Sequence, residues 1–64
     1  MTKELAQEVL DQLRKGEIEE YRVEKDVFPI FRLVFLARED IKDFRGAAQH
    51  HGAIVYMYEQ GWTA

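Results

Sequence analysis

Apolar residues recur over the first fifteen positions at the spacing of one helical stripe. Leu5, Ala6, Val9, Leu10 and Leu13 share a side, and Gln7, Glu8, Asp11 and Lys15 lie opposite. Thr2 stands where an N-cap hydroxyl belongs. Glu4 suits the positive start of the helix dipole, and Arg14 and Lys15 suit its negative end. Gly16 is placed to end the helix in a left-handed conformation. The spacing predicts a helix over 3–15.

Beyond Gly16 the period shortens to two. Tyr21 and Val23 alternate with Glu20, Arg22 and Glu24, the pattern of a strand with one wet face. Lys25 and Asp26 suit a turn. Next comes the least polar stretch, Val27 to Ala37, with Arg32 as its only charge. Pro29 cannot donate to a ladder, so a second strand is expected from about Pro29 to Ala37, with Glu24 opposite Arg32 in one register. Asp40 reads as the N-cap of a second helix that carries Ile41, Phe44 and Ala48 on one face, with Asp43 three residues after the cap and Gly52 as its stop. Gly46 weakens that helix by about 1 kcal/mol relative to alanine, which signals a close backbone approach or a displaced boundary. Residues 53–59 are rich in strand formers and end at Gln60 and Gly61.

The predicted order is α-β-β-α-β. This is an α+β fold, a two-layer sandwich with both helices on one face of a three-stranded sheet. The apolar second strand is expected in the middle, with the last strand parallel to it through a right-handed crossover. One domain is expected over 1–64, with 62–64 as a loose tail.

Strand alternation then divides the side chains. If Phe31, Leu33, Phe35, Tyr21, Val23, Val55 and Met57 lie under the helices, then Ile30, Arg32, Val34, Leu36, Ile54, Tyr56 and Tyr58 face away with no helix left to cover them. An apolar patch containing tyrosines suits a protein interface. Trp62 joins this candidate interface, as a lid on the core or as an exposed contact residue.

Composition sharpens the picture. A chain of 64 residues hides only about 60% of the surface its unfolded form exposes, so self-association would add needed burial. A hydrophobic content of 47% argues against disorder. The chain has no cysteine, which excludes disulfides and thiolate zinc sites and suits a reducing cytoplasm. No apolar stretch reaches the roughly 20 residues that cross a bilayer. The net charge is -3, and the basic residues are interleaved with acids, so nucleic acid is a disfavoured partner. Arg32, Arg38 and Arg45 with Tyr56, Tyr58 and Trp62 remain the set a single-stranded nucleic acid would use.

Candidate chemistry adds little. His50 and His51 are adjacent and diverge on a helix, where the last turns favour their partial positive charge. Asp43, His50 and Tyr56 are what a small enzyme or ligand-binding domain would need to bring together. Asp40 and Asp43 also sit where caps and first-turn acids belong. With no nucleophile motif and no glycine-rich phosphate loop, no enzymatic activity, metal or cofactor is expected. The resulting expectation is a cytoplasmic protein interaction or regulatory module that self-associates through an apolar sheet face or edge. A homodimer is the first expected partner arrangement, then a complex with another protein, without membrane contact.

Overall fold

The computed structural model describes residues 1–62. Helix α1 spans Lys3–Lys15 as its stripe requires. The Thr2 hydroxyl accepts a hydrogen bond from the Leu5 backbone N–H at 3.1 Å. At the other end Gly16 adopts φ 77°. Gly16 N–H donates to Leu13 C=O and Glu17 N–H to Gln12 C=O, the paired bonds of a Schellman cap. Ala6, Val9, Leu10 and Leu13 are buried.

Strand β1 is Tyr21–Val23. The chain then departs from the sequence expectation, because the apolar run forms helix α2, Phe28–Leu36, and not a strand. Pro29 lies in the first turn of α2, where its missing N–H has no partner to lose and its fixed φ favours the helix. Residues 40–52, expected as a helix, form a short 3-10 turn at Ile41–Asp43, strand β2 at Phe44–Ala48 and a reversal at His50–Gly52. Strand β3, Ile54–Tyr58, falls within the predicted segment. The observed order is therefore α-β-α-β-β, and the α+β class with two helices and three strands stands.

The sheet order is β1-β3-β2, and both pairings are antiparallel. This corrects the expected central position of the apolar run and the parallel last strand. With that run helical, β2 and β3 form a hairpin, and β3 takes the middle. Tyr21 stands opposite Tyr56, Val23 opposite Ile54, and Phe44 opposite Tyr58. Residues in register share a face, so these six point the same way.

Both helices cover that face. Leu10 and Leu13 of α1 and Phe31 of α2 form one buried cluster with Val23, Phe44 and Tyr56. Tyr56 is its hub, with ring centroids 4.9 Å from Phe31 and 5.1 Å from Phe35. Gly46 lies opposite Tyr56 on β2, and a Cβ there would come within 3.3 Å of the tyrosine ring and 3.2 Å of the Ile54 side chain. The glycine signal thus marks both a close approach, by a ring, and a boundary that lay elsewhere. The uncovered sheet face carries Arg22, Arg45, Ala47, Val55 and Met57.

Candidate functional site

Helix α2 is apolar at every position but Arg32, yet only Phe31 is buried. Phe31 and Phe35, one helical turn apart, point inward, and their rings lie 6.1 Å apart. The opposite side therefore presents Ile30, Leu33 and Leu36 to solvent, with exposures of 38%, 59% and 52%. Each is a large side chain in open water. The single charge of α2, Arg32, is exposed on its flank.

Beside this ridge runs an open groove of about 630 Å³ between the two helices. Leu33, Val34 and Ala37 line its α2 wall, and Lys3, Gln7, Asp11 and Arg14, spaced along one side of α1, line the other. The end of the groove nearest the α2 C-terminus is closed by an ionic clamp. Arg38 Nε donates to Asp40 Oδ1 at 2.8 Å, and Nη2 donates to Oδ2 at 3.0 Å. Arg38 Nη1 donates to Asp11 Oδ1 at 3.0 Å, which ties the segment after α2 to α1. Arg14 adds a bond to Asp40 at 3.2 Å. The side chains of Arg38 and Asp40 are only 8% and 10% exposed. The fork-to-fork hydrogen bonds to Arg38 hold the Asp40 carboxyl below the usual carboxylate range, against the opposing effect of burial. The same bonds to Asp40 push the Arg38 guanidinium up.

The structure divides the expected interface residues. Ile30, Arg32 and Leu36 are exposed on α2, and Val34 is half-buried against the core. Ile54, Tyr56 and Tyr58 face the helices, a correction to the expected outward orientation that follows from the new register. Burial pushes the Tyr56 hydroxyl above its ordinary pKa. Trp62 is exposed, closes a turn by donating its N–H to Glu59 C=O at 3.2 Å, and sets its ring 5.3 Å from the Arg45 guanidinium. Thr63 and Ala64, the rest of the expected tail, lie outside the described residues.

Leu33 was expected under the helices, because a strand period places it with Phe31 and Phe35. A helical period places it on the far side, and Pro29 in the first turn was the available sign of that period. Glu24 pairs with Arg22 at 3.0 Å rather than with Arg32, since α2 does not join the sheet.

The polar candidates separate as well. Asp43 and His50 flank β2 at opposite ends, about 20 Å apart by strand rise. The Asp43 carboxylate accepts the Gly61 N–H at 3.1 Å and so fastens the turn after β3. His50 and His51 sit on the β2–β3 reversal and not in a helical last turn, and His51 adopts φ 65°. Asp40 precedes the 3-10 turn but makes no side-chain cap bond there, because its carboxylate is engaged by the two arginines. Among the arginines and aromatics that could stack nucleic acid, Tyr56 and Tyr58 are turned inward and Arg45 pairs with Glu59 at 2.8 Å. They do not make one surface.

No helix among the described residues is long and apolar enough to cross a membrane. No curated protein and no solved structure matches the chain. Residues 3–57, from the first residue of α1 into β3, match the family described as YkzS-like protein. The chain belongs to the YkzS-like protein family.

Proposed function

We propose that this protein is a small cytoplasmic interaction module that self-associates, and that its contact surface is the outer side of α2. The observation that supports this reading is a helix with Arg32 as its one polar residue, left half in water: Ile30, Leu33 and Leu36 project from the side opposite Phe31. A helix without a polar face is normally an interior helix, and a contiguous apolar patch on a small protein usually marks a site of association. The cysteine-free composition suits a reducing compartment. The work of such a module is contact, through which a partner is held or regulated, and no bond is made or broken.

Sedimentation velocity over a concentration series tests this reading. The wild-type chain is expected to run above its monomer mass of 7.6 kDa. Leu33→Asp, which places a charge at the centre of the ridge, is expected to run as a folded monomer with unchanged helical circular dichroism. A wild-type chain that stays monomeric throughout, or a Leu33→Asp variant that keeps the wild-type mass, overturns the proposal.

A further inference from the structure

We infer that the free edge of strand β2 is a docking site for an extended segment of a partner protein, which adds there as a fourth strand antiparallel to β2. The site is separate from α2 and does not rest on self-association.

The backbone fixes which groups the edge presents. Gln49 N–H donates to Ala53 C=O at 2.8 Å, and Glu59 N–H donates to Asp43 C=O at 2.8 Å. These bonds flank the β2–β3 ladder at its two ends and set its phase, because hydrogen-bonded pairs alternate with unbonded ones in an antiparallel ladder. Counted in from either end, Arg45 bonds to Met57 and Ala47 to Val55. Phe44, Gly46 and Ala48 therefore turn their N–H and C=O groups away from β3. No strand lies on that side, since β2 ends the sheet. Phe44 N–H is taken by Ile41 C=O. The outward groups of Gly46 and Ala48 have no partner among the described residues, and both residues are exposed.

That row selects its occupant. Paired donors and acceptors repeating about every 6.8 Å match another extended backbone, the basis of recognition by strand addition. The opposite edge of the sheet is guarded. Strand β1 has only three residues and lies between Glu20 and Glu24, and short, charged edges turn added strands away. Strand β2 has five residues, and its Gly46, Ala47 and Ala48 bring neither charge nor bulk.

Side chains then set the composition of the partner segment. On the uncovered sheet face, Arg45 stands at a position where opposed side chains of the new pair come closest. Its guanidinium bonds Glu59 through Nη1 alone and leaves its other donors for a carboxylate of the added strand. On the helix side, Gly46 leaves a bare strip beside the Tyr56 ring, 3.3 Å from where a Cβ would stand. An apolar residue opposite Gly46 and an acidic one opposite Arg45 are thus the expected pattern.

The probe is a capped synthetic peptide with the core Val-Thr-Phe-Glu-Val, whose Phe stands opposite Gly46 and whose Glu stands opposite Arg45. Amide hydrogen exchange of the full chain is followed by NMR with and without it. Exchange at Gly46 and Ala48 is expected to be fast in the protein alone and to slow about tenfold or more with peptide, whereas Arg45 and Ala47, already bonded to β3, stay unchanged. A peptide N-methylated at Phe is expected to bind about tenfold more weakly, and one methylated at Glu, whose N–H points away from β2, to bind as the parent does. Ala48→Pro removes an outward donor and no bond to β3, so it is expected to keep the wild-type circular dichroism and weaken binding about tenfold. Leu33→Asp is expected to bind the peptide as the wild type does, whatever its mass, which keeps this site distinct from the α2 surface. No slowing at Gly46 and Ala48 with peptide at up to about 1 mM, equal binding of the parent and the Phe-methylated peptide, or loss of binding in Leu33→Asp overturns the proposal. Slow exchange of these two amides in the protein alone also overturns it: the edge is then covered by a second copy where the slowing grows with concentration, and by the chain itself where it does not.

Discussion

Arg38 and Asp40 lie two positions apart, and between them they fix where α2 ends and how it meets α1. Their paired hydrogen bonds, with the third to Asp11, tie the segment after α2 to α1 at a place where both side chains are nearly buried. Removing one partner leaves the other charge desolvated, so Asp40→Asn is expected to cost about 2 kcal/mol at pH 7. Asp40 has a folded pKa below its unfolded value. Its contribution is therefore complete above the ordinary aspartate value of about 4 and disappears as pH falls through the lower folded value. Arg38, shifted upward, keeps its charge throughout that window. Urea denaturation of the wild type and Asp40→Asn from pH 7 to pH 2 is expected to show a stability gap that closes only in acid. A constant gap would assign the effect to packing. His51 shows the opposite economy, holding φ 65° where glycine would be unstrained, beside Gly52 at φ 84°.

Helix α1 was legible to the residue, because stripe, N-cap, dipole charges and C-terminal glycine agree. The two middle elements were exchanged for a definite reason. A spacing of four residues is close to one turn of helix and equals two repeats of strand, so it fits both periods. Phe31 with Phe35, and Phe44 with Ala48, therefore fit either structure. Leu33 separates the alternatives, since a strand buries it with Phe31 and a helix exposes it. The apolarity of the run outweighed the proline signal in the sequence, and the glycine and alanines of 46–48 are poor strand formers that gain their strand from pairing with β3. The site followed the same fate. Ile30 and Leu36 were legible as uncovered, whereas Leu33 was hidden by the assumed period, and the clamp's links to α1, Arg38 to Asp11 and Asp40 to Arg14, join residues 27 and 26 positions apart that no local pattern pairs. Alanine substitution measures the difference. Phe31→Ala is expected to cost about 3–5 kcal/mol and Leu33→Ala less than about 0.5 kcal/mol in dilute protein. Equal costs in chemical denaturation would mean that α2 packs differently.

For the whole molecule, the helix layer is thick on one side of the sheet and the outer side of α2 is dressed for an interior. If association completes the burial, stability depends on mass action, and the melting temperature is expected to rise with protein concentration. Differential scanning calorimetry over a hundredfold range of concentration would show it, and an unchanging midpoint would count against a dimer. The sheet has a further consequence. Its central strand, β3, follows both of its neighbours in the chain, and Tyr21 waits for Tyr56 as Phe44 waits for Tyr58. During synthesis neither outer strand has a ladder to join until residues 54–58 have left the ribosome. Until then the nascent chain holds a capped helix and a greasy one with no sheet to receive them, a form that offers chaperones their best opportunity to bind.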